Sequence, residues 1–382
     1  MKKSTVSIVR CETYTINEVE AAVRKGIGLL GGIDGFVRPG EKIVLKPNIL
    51  IGTNPQKGVT THPAVFTAVG RVLKEAGVDV WYGDSSGIGK AEFNLKRSGI
   101  KEVADEFGFT LADFDSGRIV HHRESLLVKQ FEIAAGVLDA NGLISLPRFK
   151  THGFMRFTGA VKNQFGCVPG LLKSQFHVRL PDPADFAAML VDINTLIKPR
   201  LYIMDGITAM EGNGPRSGHI RHMGVILVSA DPVALDATAC RMIDLEPEYV
   251  PTSLPGEKAG LGTYHAENIE VLGEPIEAFY TPDFDVIRSP VKSGTGSGLL
   301  QILKNRVTPR PVIDTAKCTS CGTCIEMCPV EPKAVYRKGP DTKSVPVHDY
   351  QRCIRCYCCQ EMCPEGAISI KNTLLSKLFT WL

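Results

Sequence analysis

The sequence contains no apolar run that approaches the length of a membrane-spanning helix, so no integral membrane segment is expected. Its opening stretch, MKKSTVSIVRCETYTINEVE, turns polar and acidic before a signal-peptide core forms, so no secretory leader is expected either. A cytoplasmic location follows as the expectation. Charge of one sign is not in surplus: 44 Lys and Arg stand against 41 Asp and Glu, for a formal net charge of +3, and nothing argues for a nucleic-acid partner. A working phosphate loop is missing as well. Gly26, Gly28 and Gly31 satisfy G-x-G-x-x-G, but EVEAAVRKGIGLLGG reads as the end of a helix, whereas a dinucleotide fingerprint follows a strand and opens one. The segment GDSSGIGK (83–90) places five residues between Gly83 and Gly89, and puts Ala91 where a magnesium-binding Ser or Thr belongs.

Cysteine, by contrast, is abundant. Of twelve in the chain, eight form two copies of one spacing, Cys318, Cys321, Cys324, Cys328 and Cys353, Cys356, Cys359, Cys363, each closed by a proline, Pro329 or Pro364. Three thiolates two residues apart wrap one face of an iron-sulfur cube, and the fourth points to the neighbouring cube. The expected cofactors are therefore two 4Fe-4S clusters. Cys318, Cys321, Cys324 and Cys363 are assigned to one, and Cys353, Cys356, Cys359 and Cys328 to the other. A disulfide framework is disfavoured by the length of the chain and the bunching of the thiols. Structural zinc is disfavoured by the third thiolate that follows each pair. Both runs resemble the bacterial two-cluster ferredoxin over residues 311–371, with a longer stretch between Cys328 and Cys353. Cys358 is surplus and reads as a small buried thiol. Eight ligating thiolates and two oxidised cubes would bring the loaded protein to about −1.

The rest of the chain reads as α/β. Short β-rich runs at 5–11, 42–48, 78–84, 142–148, 201–206 and 224–230 alternate with helical stretches at 16–30, 63–76, 184–197 and 232–243, the last opened by Asp231 and Pro232. Near-continuous apolar strands between helices imply a mostly parallel sheet covered on both faces. The expected organisation is a large α/β domain over 1–273, a linker or arm over 274–310 and a small α+β two-cluster ferredoxin domain over 311–371. An amphipathic tail over 372–382 is expected to pack on the body or a partner, with contact to a membrane surface as the alternative.

Ligands of open α/β sheets collect beyond the carboxyl ends of strands. Those ends deliver Lys46 and Asn48; Asp84, Ser85 and Ser86; Lys150, Thr151 and His152; and Asp205, followed by Glu211 and Arg216. The segment 156–170 adds Lys162 and Asn163 in a glycine-bounded short helix. Taken singly, such residues are most often solvated or structurally satisfied. As a set they define one expected crevice for anion binding or proton transfer.

VLKPN, GDSSG, LPRFKTH, GAVKNQFG, EGNGP and ADPVALDATA, followed by CIRCYCCQEMCPEGAI, resemble a prokaryotic family of uncharacterised iron-sulfur-centre proteins. In that family a large domain of unknown function is fused to a two-cluster ferredoxin module. The resemblance implies no substrate and no catalytic residue. The reading is an iron-sulfur oxidoreductase whose clusters relay electrons to or from a small, anionic substrate in the crevice. Lys150, His152 and Lys162 would hold the anion or move protons, and Asp84, Asp205 and Glu211 are the acid/base or metal candidates. Two alternatives stand beside it: an electron-transfer or binding module serving a partner donor or acceptor protein, and a non-redox isomerase or lyase with structural clusters.

Overall fold

The computed structural model describes residues 3–170, 172–291, 308–339, 341 and 343–373. Twelve strands belong to the large part of the chain: β1 (Ser4–Arg10), β2 (Lys42–Pro47), β3 (Asp79–Tyr82), β4 (Thr110–Leu111), β5 (Gly117–His121), β6 (Gln130–Ala134), β7 (Gly142–Leu146), β8 (Arg148–His152), β9 (Arg156–Thr158), β10 (Leu201–Glu211), β11 (His219–Ser229) and β12 (Ile269–Gly273). The main sheet runs β12-β1-β11-β10-β7-β2-β3-β4, with β8 and β9 branching from β10, while β5 and β6 form a separate hairpin. Its pairings are parallel except where β11 joins β1 and β10, and where β9 joins β8.

Period-two alternation explains why both faces are covered. Tyr202, Met204, Val225 and Leu227 point into one core, with Phe186, Leu190, Val233 and Leu235 from helices Pro183–Ile197 and Pro232–Met242. Their neighbours Leu201, Ile203, Ile226 and Val228 point into the other, with Val19, Val23, Phe66 and Val69 from helices Ile16–Leu29 and Pro63–Glu75. Gly26 lies inside the first of these helices; a Cβ there would sit 2.8 Å from Val228 Cγ2, so the glycine serves close helix–sheet packing. Asp231 caps the helix it opens, accepting from Val233 N and Ala234 N.

Three expectations need correction. Residues 142–152 are two strands, β7 and β8, broken at Pro147, so Lys150, Thr151 and His152 lie within a strand and not beyond one. The expected linker begins too early: Phe279 and Phe284 are buried, and Arg288 donates to the carbonyls of Ile243, Asp244, Pro282 and Phe284, fastening 274–291 to the body. At the other end of that linker, strand Arg310–Ile313 already pairs with Ile368–Lys371 of the small C-terminal unit. Residues 292–307 of the linker and 374–382 of the tail lie outside the described residues.

In the C-terminal unit the longer stretch after Cys328 forms a small hairpin, Val335–Tyr336 against Val347–His348. Among the described residues no helix is long and apolar enough to cross a membrane.

Candidate functional site

The two cysteine runs fold alike. Ser320 and Gly322 in the first, and Arg355 and Tyr357 in the second, occupy equivalent left-handed positions (φ 56°, 84°, 64° and 61°). Each αL residue turns the chain back on itself, so that successive thiols face one point and backbone N–H groups line the concavity. Cys318, Cys321, Cys324 and Cys363 surround one space of about 330 Å³, and Cys328, Cys353, Cys356 and Cys359 surround another of about 280 Å³. Ser320 N–H donates to Cys318 Sγ at 3.4 Å and Ala367 N–H to Cys363 Sγ at 3.3 Å. Four soft sulfur donors per cradle, with N–H groups aimed at the sulfurs, fit iron-sulfur clusters. Cys358 belongs to neither cradle and lines a different space.

That space is a cleft of about 740 Å³, mouth included, between the cysteine-rich unit and the large domain. From the large domain come Asn48, Asp84, Lys162 and Lys173; from the other side come Cys358 and Glu361. Alternation along β8 sets Arg148, Lys150 and His152 on one face, a buried row running toward this boundary.

Lys46 and Asp84 meet deep in the wall at 2.7 Å, both buried; Lys46 Nζ also donates to Asn163 O at 2.6 Å, and Ile49 N–H donates to Asp84 Oδ2 at 2.8 Å. A Cβ at Gly166 would fall 1.9 Å from Asp84 Oδ1, so only glycine leaves room for this pair. Asn48 links the lysines: its Oδ1 accepts from Lys150 Nζ at 2.6 Å and its Nδ2 donates to Asn163 Oδ1 at 3.1 Å. Burial, reinforced by Arg148 and Lys162, holds the Lys150 amine well below the lysine range. Lys173 donates to Ser85 Oγ at 2.7 Å, and burial brings it down to about 8.

His152 Nδ1 accepts from Phe154 N at 3.0 Å, leaving the proton on Nε2, 2.9 Å from Glu361 Oε1 across the domain boundary. Burial, with Lys162 adding to it, lowers His152 to about 4, so the ring is neutral near pH 7. Burial alone would raise the Glu361 carboxyl; the His152 Nε2–H beside it and the charge of Lys162 oppose burial and hold the group below the carboxylate range.

The structure therefore gathers Lys46, Asn48, Asp84, Ser85, Lys150, Lys162 and Asn163 around the cleft, with His152 behind Glu361. Asp205 and Glu211 stand elsewhere. Asp205 is fully buried, accepting from Tyr14 Oη and His62 N at 2.9 Å each and pairing with Arg148; Glu211 accepts from Asp285 N at 3.1 Å. Thr151 donates to Gly212 O, and Arg216 to Met362 O across the boundary. The reading from sequence missed Arg148, Lys173, His177 and Glu361. Arg148 was within reach, two residues before Lys150 in an alternating strand. Glu361, an acid between two cysteine ligands, carried a weaker signal.

A family model described as Domain of unknown function (DUF362) matches residues 43–241, and one described as 4Fe-4S dicluster domain matches residues 310–369. A thylakoid-associated protein of Synechocystis sp. is 35% identical over 274 residues, covering 72% of this chain and 85% of that protein. Among solved structures, the lactate racemase apoprotein of Thermoanaerobacterium thermosaccharolyticum superposes with a TM-score of 0.42 at 12% identity, over 63% of this chain and 57% of that one, less than two thirds of its length. A protein from Thermotoga maritima gives a TM-score of 0.35 at 14% identity, over 61% and 59%. Superpositions this loose establish no shared chemistry.

Proposed function

From the premise that the chain belongs to the family of the Domain of unknown function (DUF362), joined here to a 4Fe-4S dicluster domain that makes it an iron-sulfur protein, we propose an oxidoreductase that exchanges electrons with a small anionic substrate in the interdomain cleft. The observation that supports this most is the composition of the cleft. One wall is the turn carrying Cys358 and Glu361 between cluster-ligand positions, and the other carries Lys162, Asn163 and Lys173. Two 4Fe-4S clusters, held as the two cradles group the cysteines, would supply one-electron transfer. Lys162 and Lys173 would bind and orient an anion, the Lys150 amine, which burial makes easier to deprotonate, would take or return a proton, and His152 would steady Glu361. The roles first given to Asp205 and Glu211 are dropped from this mechanism, because neither lines the cleft.

A reducing, cytoplasmic setting suits the thiolates. The name of the Synechocystis relative puts that protein in association with thylakoids, and a peripheral contact of this kind needs no spanning helix.

The test is anaerobic. Reconstituted protein is expected to hold close to eight irons and eight sulfides per chain; about four of each would sink the two-cluster assignment. The small molecule that co-purifies, identified by mass spectrometry, should be converted by the full chain with a chemical reductant or oxidant and no partner protein. Conversion at the same rate with and without the redox reagent would favour a non-redox enzyme, and none at all would favour a module serving a partner.

A further inference from the structure

Behind the cleft lies a smaller chamber of about 310 Å³, and Asn48, Leu50, Lys162 and Asn163 belong to the walls of both. Its wall also contains Arg148 and Lys150, and no Asp or Glu. We propose that this chamber is the subsite for the carboxylate of a small monocarboxylic acid whose remaining atoms extend into the outer cleft. This deepens the function proposed above and rests on it.

Three features of the wall support the assignment. Arg148 is only 2% exposed, yet its Nε–H has no acceptor among the described residues, although its Nη1 and Nη2 are bound to Asp205, Tyr14 and Thr208. A buried donor left without a partner is rare in a native protein and calls for an acceptor. Lys162 makes no hydrogen bond or ion pair among the described residues; Glu361, which acts on it through space, is engaged with His152. Lys150 is different. Its Nζ already donates to Asn48 Oδ1 at 2.6 Å and to Val59 O at 2.8 Å.

Charge then selects the ligand class. Arg148 is already matched by Asp205 and Lys150 is held by Asn48 and Val59, so Lys162 is the cation of this wall with no hydrogen-bond or ion-pair partner among the described residues. One such charge balances a monoanion. A second charge, as on a phosphate dianion, would have to be met by Arg148 or Lys150, which are already engaged with Asp205, Tyr14 and Thr208 and with Asn48 and Val59, and this disfavours it. The chamber is smaller than the cleft, so it takes a head group, and the shared walls lead the remainder toward the cluster-bearing side.

The test is acetate binding to the reconstituted full chain, measured by calorimetry at fixed ionic strength and pH 7, with inorganic phosphate as competitor. Two variants accompany the wild type: Lys162→Met, which removes the free cation, and Asn48→Asp, a near-isosteric change that puts a carboxylate into the wall and keeps the proposal testable should the first fail to fold. Saturable acetate binding is expected, weakened at least about tenfold in each folded variant at unchanged iron content. Absence of saturable binding in the wild type, equal affinity in either variant, or displacement by phosphate at lower concentration than acetate itself requires would overturn the assignment. Binding is read in the resting protein without turnover, so its failure leaves the redox reading standing, and failure of redox-dependent conversion leaves the carboxylate subsite standing.

Discussion

Tyr357 adopts a backbone conformation that tyrosine disfavours by about 1–2 kcal/mol, at the position where the first cysteine run has Gly322. Its side chain accounts for the choice. The ring is buried against Phe154 of the large domain (centroids 6.3 Å apart), and its hydroxyl donates to Pro309 O at 2.8 Å. Tyr357→Gly would relieve the backbone and lose the anchor. The expected result is unchanged iron content with a net destabilisation of about 2 kcal/mol, read from denaturant midpoints; a loss of iron from the second cradle instead would make the residue part of cluster binding. Its neighbour Cys358 faces the cleft, so Cys358→Ala should retain eight irons per chain, and a fall toward four would show it to be a ligand. The cysteine spacing was legible because three thiolates of each set have only two residues between them, where local chain geometry suffices. The orphaned Nε–H of Arg148 was not, since it depends on how Asp205, Tyr14 and Thr208, at least 57 residues away, take up the other guanidinium nitrogens.

The short helix Ala160–Asn163 carries Lys162 to the cleft, and it depends on another helix for its start. Asp236, midway along Pro232–Met242, accepts from Ala160 N at 2.6 Å and Val161 N at 3.1 Å. Burial pushes its carboxyl up to about 7, with the two N–H groups opposing. A raised carboxyl pKa favours the folded state below the unfolded value near 4, and that contribution disappears as pH rises through about 7. Asp236→Asn should therefore flatten the decline of urea stability between pH 5 and pH 7.5; an unchanged slope would exclude Asp236 as its source. Asp236→Ala should cost about 1–3 kcal/mol by leaving the N–H groups unpaired. Most helices were legible from apolar periodicity and caps, as Asp231 illustrates. The division of β7 from β8 was less so, because Pro147 interrupts an apolar run that reads as one strand, and the pairing of β8 with β9 and β10 is what makes Arg148–His152 a strand.

Across the whole molecule, the boundary between the large domain and the cysteine-rich unit is polar and titratable. Asn213 donates to Ile368 O at 2.9 Å, Gln360 Nε2 to Asn213 Oδ1 at 2.8 Å, and His152 meets Glu361. His177 is stacked on Phe186 at 4.5 Å, with Phe154 and Phe165 nearby, and burial lowers it to about 4, as it does His152. A histidine depressed in the folded state stabilises fully above its unfolded pKa near 6.5, and loses that contribution as pH falls toward 4. His177→Phe should accordingly lose less stability than the wild type between pH 7 and pH 5 in anaerobic urea titrations, by about 1–2 kcal/mol. Identical losses would place the acid sensitivity elsewhere.

Two things about this protein were determined by sequence alone: the thiolate sets and the alternation that builds a two-faced α/β sheet. Three thiolates of each set, and the alternation, rest on residues within a turn or a strand of one another; the fourth thiolate of each set comes from the other run. Tertiary structure decided which lysines of the site are paired and which, among the described residues, stands free, and that a cysteine-rich turn closes the cleft. Lys46 meets Asn163 across 117 positions and Lys150 meets Asn48 across 102. Whether a buried amine is charged, satisfied or open to a ligand depends on such distant neighbours, because desolvation and Coulomb interactions act through space and leave no periodic trace along the chain.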